Sequence, residues 1–210
     1  MTGTRISDTA AVVLAGGRSI RFGADKAGAL WRGRPLIDHV VARLAAVCDE
    51  VVVVARPDQD RRGWGAHRVV EDDASLPEGP LRGIVAGLHA MASPGAFIVT
   101  CDAPLVHAAL LLALRRRPAP DDLVAVAEWA GVLQPLTAWY DRRCLPMAYT
   151  LLEHGLRSPL DLLAAVPCAV LDGAACRTAD PDSLSFFNIN TTADLASLPA
   201  DAAPSGEPGR

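Results

Sequence analysis

Several features that would mark a membrane, secreted or nucleic-acid-binding protein are missing from this sequence of 210 residues. No apolar run approaches the roughly 18 residues that a membrane-spanning helix needs, and the N-terminus lacks the apolar core of a signal peptide. The formal net charge is −4, which argues against a protein that binds nucleic acid by overall positive charge. We therefore expect a soluble, cytoplasmic protein that acts neither at a membrane nor on nucleic acid.

Residues that form disulfides, zinc sites or nucleophilic triads are also sparse. The cysteines lie at Cys48, Cys101, Cys144, Cys168 and Cys176, without any Cys-x-x-Cys pair. This pattern indicates reduced, mostly buried thiols rather than a disulfide framework, and we interpret Cys101 in the same way rather than as a catalytic cysteine. The histidines are scattered without the spacing of metal ligands, and no Gly-x-Ser-x-Gly motif occurs.

Apolar residues, by contrast, make up 50% of the chain and form a repeated strand–helix pattern. Short apolar runs indicate buried strands at residues 10–15, 50–55, 68–70, 96–100 and 122–127. Apolar positions at helical spacing indicate helices at residues 35–48, 81–91 and 105–116. This alternation predicts an α/β fold, a three-layer sandwich around a Rossmann-like, mostly parallel sheet.

The pattern is weaker in the last third of the chain. Strands are predicted at residues 134–140, 168–171 and 186–189, and helices at 142–153, 158–165 and 191–198. Two of these helices carry clear start signals, since Ser158 precedes a proline and Thr191 precedes Asp194 by three positions. We expect residues 10–198 to form a single domain and the Pro-, Ala- and Gly-rich residues 199–210 to be a disordered tail.

The most informative segment follows the first predicted strand. Residues 14–26 spell Leu-Ala-Gly-Gly-Arg-Ser-Ile-Arg-Phe-Gly-Ala-Asp-Lys. Glycines after a buried strand let the backbone approach a ligand closely, and Arg18, Arg21 and Lys26 can bring positive charge to one point. A nucleoside triphosphate requires this combination of donors and cations. The segment is neither a P-loop nor Gly-x-Gly-x-x-Gly, so the alternative is a sharp turn with solvated basic residues.

Two acidic residues follow predicted strands. Asp102 comes directly after the strand at 96–100, and ligands of open α/β sheets bind at the carboxyl ends of the strands. Mg²⁺ typically takes one or two carboxylates together with phosphate oxygens and water. The alternative for Asp102 is a cap on the following helix, and for Asp72, between Glu71 and Asp73, it is a solvated acidic turn.

These segments together resemble the MobA-like nucleotidyltransferases, the molybdenum cofactor guanylyltransferase family. The string LAGGRSIRFGADK is similar to the family's signature, and three later segments follow in the family's order. They are Val-Glu-Asp at 70–72 followed by Gly-Pro-Leu-Arg-Gly at 79–83, Thr-Cys-Asp-Ala-Pro at 100–104, and Phe-Asn-Ile-Asn-Thr at 187–191. The resemblance covers about residues 10–198 and implies a fold of the nucleotide-diphospho-sugar transferase type.

The resemblance also implies roles for individual residues. Lys26 would contact phosphate, Asp72 would lie near the base and ribose, and Asp102 would hold Mg²⁺. Asn188 and Asn190 match a segment near the pterin substrate. The binding residues implied in this way are Leu14, Ala15, Gly16, Gly17, Lys26, Asp72, Asp102, Asn188 and Asn190.

The implied reaction transfers GMP from GTP to the phosphate of molybdopterin, giving the guanine dinucleotide cofactor and pyrophosphate. In this family a Leu-Ala-Gly-Gly loop goes with guanine. A phosphate monoester is largely dianionic at neutral pH, so its attack on the α-phosphorus needs no general base, and catalysis is positioning and charge stabilisation. We expect Arg21, Lys26 and Asp102 to be catalytic, Mg²⁺ to be the cofactor, and transient contacts with cofactor-biosynthesis or acceptor enzymes.

The sequence departs from the family pattern in two places. Arg56 stands at the end of the second strand, where the family often has an asparagine that contacts the nucleotide, and Thr192 replaces a common proline. Two other functions therefore stay open at this point. One is nucleotidyl transfer to another phosphorylated acceptor, such as a sugar phosphate or another cofactor precursor, and the other is a non-catalytic nucleotide-binding protein.

Overall fold

A seven-stranded sheet forms the centre of the protein in a computed structural model that describes residues 5–17, 25–62, 64–65 and 68–198. In chain order the strands are β1 (Ile6–Leu14), β2 (Leu30–Trp31), β3 (Arg34–Pro35), β4 (Cys48–Ala55), β5 (Arg68–Glu71), β6 (Gly95–Thr100), β7 (Val124–Trp129), β8 (Val132–Asp141) and β9 (Cys168–Leu171). The order across the sheet is β5-β4-β1-β6-β8-β7-β9, while β2 and β3 form a separate small hairpin.

The sheet is mostly parallel, as predicted. β1 pairs in parallel with both β4 and β6, β4 pairs in parallel with β5, and β7 with β9. β8 is the exception, since it runs antiparallel to both β6 and β7. The turn between β7 and β8 contains Ala130 and Gly131, both with positive φ, which is the backbone that a two-residue hairpin turn with the twist of its strands requires.

Helices cover both faces of the sheet and complete the three layers. They are α1 (Leu36–Ala45), α2 (Pro80–Ala90), α3 (Ala108–Arg116), α4 (Leu145–Glu153), α5 (Pro159–Ala165), α6 (Gly173–Ala179) and α7 (Thr192–Ser197). Apolar side chains of α1, α3 and α6 bury one face of the sheet, and those of α2, α4 and α5 bury the other. Because both faces are covered, the central strands are continuous apolar runs rather than alternating ones. Among the described residues, no helix has the length and apolar character to cross a membrane.

Several predicted boundaries are wrong for local reasons. The first helix ends at Ala45 and not at 48, because Cys48 already begins β4. The helix predicted from 105 begins at Ala108. The strand predicted at 186–189 does not form: Leu184–Phe186 is a 3₁₀ turn, and Ile189 is buried in a small separate cluster with Trp31 and Leu36. Both predicted helix caps are confirmed, since Ser158 and Thr191 each form a capping box.

One predicted segment is not described by the structure, and two observed elements were not predicted. Residues 199–210, which we expect to be a disordered tail, lie outside the described residues. Helix α6 and the β2–β3 hairpin are present in the structure but were not predicted, because both are short and neither has a strong periodic pattern.

The packing of α2 on β1 depends on Gly87. A Cβ atom at this position would lie 2.2 Å from Cγ1 of Val12, and Val12 is fully buried in the middle of the sheet. We predict that Gly87→Ala lowers the free energy of unfolding by about 1–3 kcal/mol through overpacking, although alanine is the better helix former.

Urea unfolding of the variant tests this prediction, with Gly83→Ala on the same helix as the matched control. A Cβ atom at Gly83 would meet the end of the Leu14 side chain at 3.2 Å and Cγ1 of Val54 at 3.9 Å, so its cost should be much smaller. Equal stability of Gly87→Ala and the wild type would contradict the packing argument.

Candidate functional site

The carboxyl ends of β1, β4, β5 and β6 surround a pocket of about 220 Å³. The parallel pairing brings these strand ends to one edge of the sheet, where open α/β sheets bind their ligands. The first turn of α2 closes one side of the pocket. The lining residues are Leu14, Gly16, Gly17, Lys26, Val54, Arg56, Asp72, Glu78, Gly79, Pro80, Arg82, Gly83, Thr100, Cys101, Asp102 and Leu136.

Lys26 and Asp102 meet in this pocket although 76 positions separate them in the sequence. The Lys26 Nζ atom lies 2.6 Å from Oδ2 of Asp102, and the two side chains are only 10% and 18% exposed. The Thr100 hydroxyl donates a hydrogen bond to the other oxygen of the same carboxylate. Lys26 begins a 3₁₀ turn that Asp25 caps by accepting the Ala27 N–H. The structure thus brings together the cation and the acid that the sequence singled out.

The glycine loop after β1 is held by side chains from the end of β4. The Arg56 guanidinium donates to the Gly16 carbonyl at 2.6 Å, and the Gln59 amide donates to the Ala15 carbonyl at 2.9 Å. The Ala15 N–H donates to the Val54 carbonyl, so β4 and the segment directly after it hold the loop at three points. Sequence analysis missed this contribution of Arg56, because a contact to a backbone carbonyl leaves no pattern in the sequence.

Asp72 forms a buried ion pair with Arg82. Asp72 Oδ2 lies 3.0 Å from the Arg82 guanidinium, and both side chains are less than one-tenth exposed. The guanidinium also donates to the Leu76 carbonyl, and the Asp72 N–H donates to the Ala55 carbonyl. The alternative of a solvated acidic turn is therefore wrong for Asp72, although Asp73 beside it is exposed.

Arg82 is a lining residue to which the sequence assigned no role. Its neighbours Leu81, Ile84 and Val85 on α2 are all buried in the core. A charged residue among apolar helix positions could have predicted an acidic partner for Arg82, since a buried charge requires a partner of opposite sign.

The segment 187–191 runs beside the end of β6. The Ile189 N–H donates to the Asp102 carbonyl at 2.9 Å, and the Asn190 side-chain oxygen accepts from Lys26 Nζ at 3.2 Å. Asn190 and Thr191 both donate their backbone N–H groups to Asp194, and the Asn190 contact is the main reason why the pKa of Asp194 lies below its usual range. Asn190 thus contacts Lys26 through its side chain, although both Asn188 and Asn190 are exposed residues.

The glycine-loop arginines and Cys101 differ in what the structure describes of them. Arg21, expected to be catalytic, and Arg18 lie outside the described residues. Cys101 is buried at the pocket, and burial raises the pKa of its thiol well above the usual value. A buried thiol with a raised pKa is a poor nucleophile, which agrees with the structural interpretation of this cysteine.

The residues present suit a magnesium ion that arrives with phosphate. Within residues 5–17, 25–62, 64–65 and 68–198, no three His, Cys, Asp or Glu side chains form a cluster that could hold a metal ion. Asp102 is the pocket carboxylate that lies on Lys26, and a protein typically offers Mg²⁺ only one or two carboxylates. Mg²⁺ is often held in this way, with phosphate oxygens and water as its other ligands, whereas a structural zinc or calcium site would need a dedicated protein cage.

Comparison with known proteins assigns the chain to a family. The profile of the MobA-like NTP transferase domain matches residues 11–166, which contain the glycine loop, Lys26, Asp72 and Asp102. The chain belongs to the MobA-like NTP transferase family. Two curated relatives, the molybdenum cofactor guanylyltransferases of Desulfosudis oleivorans and Pseudomonas entomophila, are each 35% identical to it. The alignments cover 88% and 84% of this chain and 91% and 92% of the relatives.

Solved structures share the fold of this MobA-like protein. Molybdopterin-guanine dinucleotide biosynthesis protein A from Archaeoglobus fulgidus superimposes with a TM-score of 0.76 at 23% identity, over 89% of this chain and 95% of that one. The 2-C-methyl-D-erythritol 4-phosphate cytidylyltransferase of Thermus thermophilus gives a TM-score of 0.62 at 19% identity, over 89% and 95% of the two chains. The nucleotide-diphospho-sugar transferase type of fold is confirmed.

The Asp72–Arg82 pair makes a specific prediction about stability. Removal of one partner leaves an uncompensated buried charge, which typically costs about 3–5 kcal/mol, whereas replacement of both partners is often nearly neutral. Arg82→Met should therefore lower the free energy of unfolding by about that amount, and Asp72→Asn/Arg82→Met should recover much of it.

Urea unfolding of Asp72→Asn, Arg82→Met and the double variant measures the coupling between these residues. Costs that simply add in the double variant would show that the pair does not act as a unit.

Proposed function

We propose that this MobA-like protein transfers GMP from GTP to the phosphate of molybdopterin, giving the guanine dinucleotide cofactor and pyrophosphate. One observation carries the proposal: Lys26 and Asp102 are paired at 2.6 Å in the pocket at the carboxyl edge of the sheet. A cation and a carboxylate at one point are what a metal-bound polyphosphate requires. The names of the two curated relatives support guanine as the base and the molybdenum cofactor as the acceptor.

The chain contributes positioning and positive charge to this reaction. The acceptor phosphate is already a dianion near neutral pH, because its second pKa is about 6, so no side chain has to remove a proton. Lys26 would bind the phosphates of GTP and stabilise the charge that develops on the departing pyrophosphate. Arg21, from the same loop, would supply a second positive charge for the departing pyrophosphate. The glycine loop, fixed by Arg56 and Gln59, would let the nucleotide approach the backbone closely.

We propose Mg²⁺ as the cofactor, held by Asp102 together with phosphate oxygens. When bound, the ion would neutralise charge on the phosphates near the α-phosphorus. Asp72 would lie at the base and ribose end of the pocket, fixed there by Arg82. Asn188 and Asn190 would form part of the acceptor side, next to the end of β6.

The setting of the reaction is also a proposal. All five cysteines are free thiols, which is typical of a reducing compartment and supports the cytoplasm. A guanine dinucleotide cofactor has to be passed on, so we propose transient contacts with enzymes that supply the acceptor or receive the product.

The decisive assay incubates the purified protein with Mg²⁺, radiolabelled GTP and molybdopterin, and separates the products. We expect a labelled dinucleotide product and one pyrophosphate for each GMP transferred. Sugar phosphates in place of molybdopterin serve as alternative acceptors. Transfer to these alone would keep the reaction class and contradict the acceptor, and no transfer from any nucleotide to any acceptor would contradict the enzymatic function.

The role of Asp102 is tested in the same assay. Asp102→Asn should keep the fold, because the amide oxygen can still accept from Lys26, and it should lose about 10²- to 10³-fold in rate, as is usual when one charge-stabilising group is removed from an active site. Asp49→Asn is the matched control, because Asp49 is an exposed acid near the start of β4, at the opposite edge of the sheet. Full activity of Asp102→Asn would contradict its role as metal ligand.

A further inference from the structure

Groups of the chain itself already engage both oxygens of the Asp102 carboxylate. One oxygen accepts from Lys26 Nζ at 2.6 Å and the other accepts from the Thr100 hydroxyl. The backbone of Asp102 is fixed as well, because its carbonyl accepts the Ile189 N–H at 2.9 Å. Each oxygen of the proposed metal ligand thus already accepts one hydrogen bond from the chain itself.

The Lys26 ammonium is held in this position from two directions. Besides Asp102 it contacts the side-chain oxygen of Asn190 at 3.2 Å, and its side chain is only 10% exposed. Asn190 is in turn anchored through its backbone N–H to Asp194 at 2.8 Å. Two side-chain contacts and the low exposure of Lys26 thus favour its position on Asp102.

This arrangement opposes the binding of a metal ion on its own. A divalent cation at Asp102 would lie close to the Lys26 ammonium, and repulsion between like charges is strong in a pocket shielded from water. The paired carboxylate and ammonium also have no net charge with which to attract a cation. Among the described residues, no three His, Cys, Asp or Glu side chains form a cluster there that could hold a metal ion without the nucleotide.

We propose that Lys26 blocks the metal site of Asp102 in the nucleotide-free protein, and that a polyphosphate opens this site by drawing the Lys26 ammonium to itself. The inference rests on the proposed nucleotidyl transfer at this pocket. It adds the order of binding, in which the metal ion enters only together with the nucleotide. Asn190 is a positioning residue here, because it acts by holding the ammonium on Asp102.

The order has a functional consequence. A site that takes Mg²⁺ only together with a polyphosphate is not filled by free metal ions in the absence of nucleotide. The coupling is reciprocal, so the metal must strengthen nucleotide binding by the same factor by which the nucleotide strengthens metal binding.

The test measures binding of Mn²⁺ alone, without nucleotide or acceptor, by the loss of the free-ion signal in electron paramagnetic resonance. The variants are Lys26→Met, which removes the charge at similar length, and Lys26→Arg, which keeps it. We expect Lys26→Met to bind Mn²⁺ at least about tenfold more tightly than the wild type, because one unit of opposing charge is gone. Lys26→Arg should bind as weakly as the wild type, and Lys26→Met/Asp102→Asn should lose the gain.

The proposal would be overturned if the wild type and Lys26→Met bound Mn²⁺ with equal affinity. It would also be overturned if the wild type bound Mn²⁺ tightly without nucleotide. Asn190→Ala is a second variant, which retains Lys26 and removes only the side-chain oxygen that accepts from its ammonium. It provides the test if Lys26→Met does not fold. It should bind Mn²⁺ more tightly than the wild type by a smaller factor, and no gain would count against the proposal. Since GTP and molybdopterin are absent, failure here is distinct from failure of the transfer assay.

Discussion

Parallel pairing of β1 with β4 and β6 is the constraint on which the site depends. It brings the ends of three strands, far apart in the chain, to one edge of the sheet. The glycine loop follows β1, Arg56 follows β4, and Asp102 follows β6. Only this arrangement lets Lys26, shortly after the first strand, reach Asp102 at the end of the fourth strand of the main sheet. The hydrophobic effect that buries both faces of the sheet thus also assembles the polar site.

The site consists of two buried ion pairs with different surroundings. Asp72 and Arg82 are both less than one-tenth exposed, and Arg82 also donates to a backbone carbonyl. Both pairs line the pocket, and the side chains of Lys26 and Asp102 are somewhat more exposed. The first pair is a fixed part of one wall, whereas the second consists of the groups that a metal-bound polyphosphate would separate. Burial of charge is costly in both cases, which points to function rather than stability as the reason for keeping them.

Much of this arrangement could be predicted from the sequence. The valine-rich run of β4 and the apolar run of β1 identify buried strands, and glycines or acids at their ends mark the ligand edge. The capping boxes at Ser158 and Thr191 fix the starts of two helices because they are local patterns. The antiparallel direction of β8 was not predicted, since an apolar run carries no information about its partner. The failed strand at 186–189 has a similar cause: Ile189 is apolar because it packs in a separate cluster.

The contacts within the site were harder to predict than its members. Lys26, Asp72, Asp102 and Asn190 could be singled out from the sequence, but not the contacts between them. The Lys26–Asn190 contact and the choice of Asp72 as the partner of Arg82 had no signal in the sequence. The hydrogen bond from Arg56 to the Gly16 carbonyl depends on a backbone group that every residue has. Such contacts follow from the packing of α2 and of segment 187–191 against the sheet, and they are visible only when the tertiary structure is known.

We propose that this pocket is a guanine-selective site for a magnesium-bound nucleoside triphosphate. Thermal unfolding in the presence of Mg²⁺ with GTP, CTP, ATP or UTP tests it most directly. A specific ligand at about a hundredfold excess over its dissociation constant stabilises the native state by roughly 2.7 kcal/mol, so GTP should raise the melting temperature clearly and the other three should not. A larger shift with another nucleotide would contradict the guanine assignment, and no shift with any of the four would contradict the account of the site.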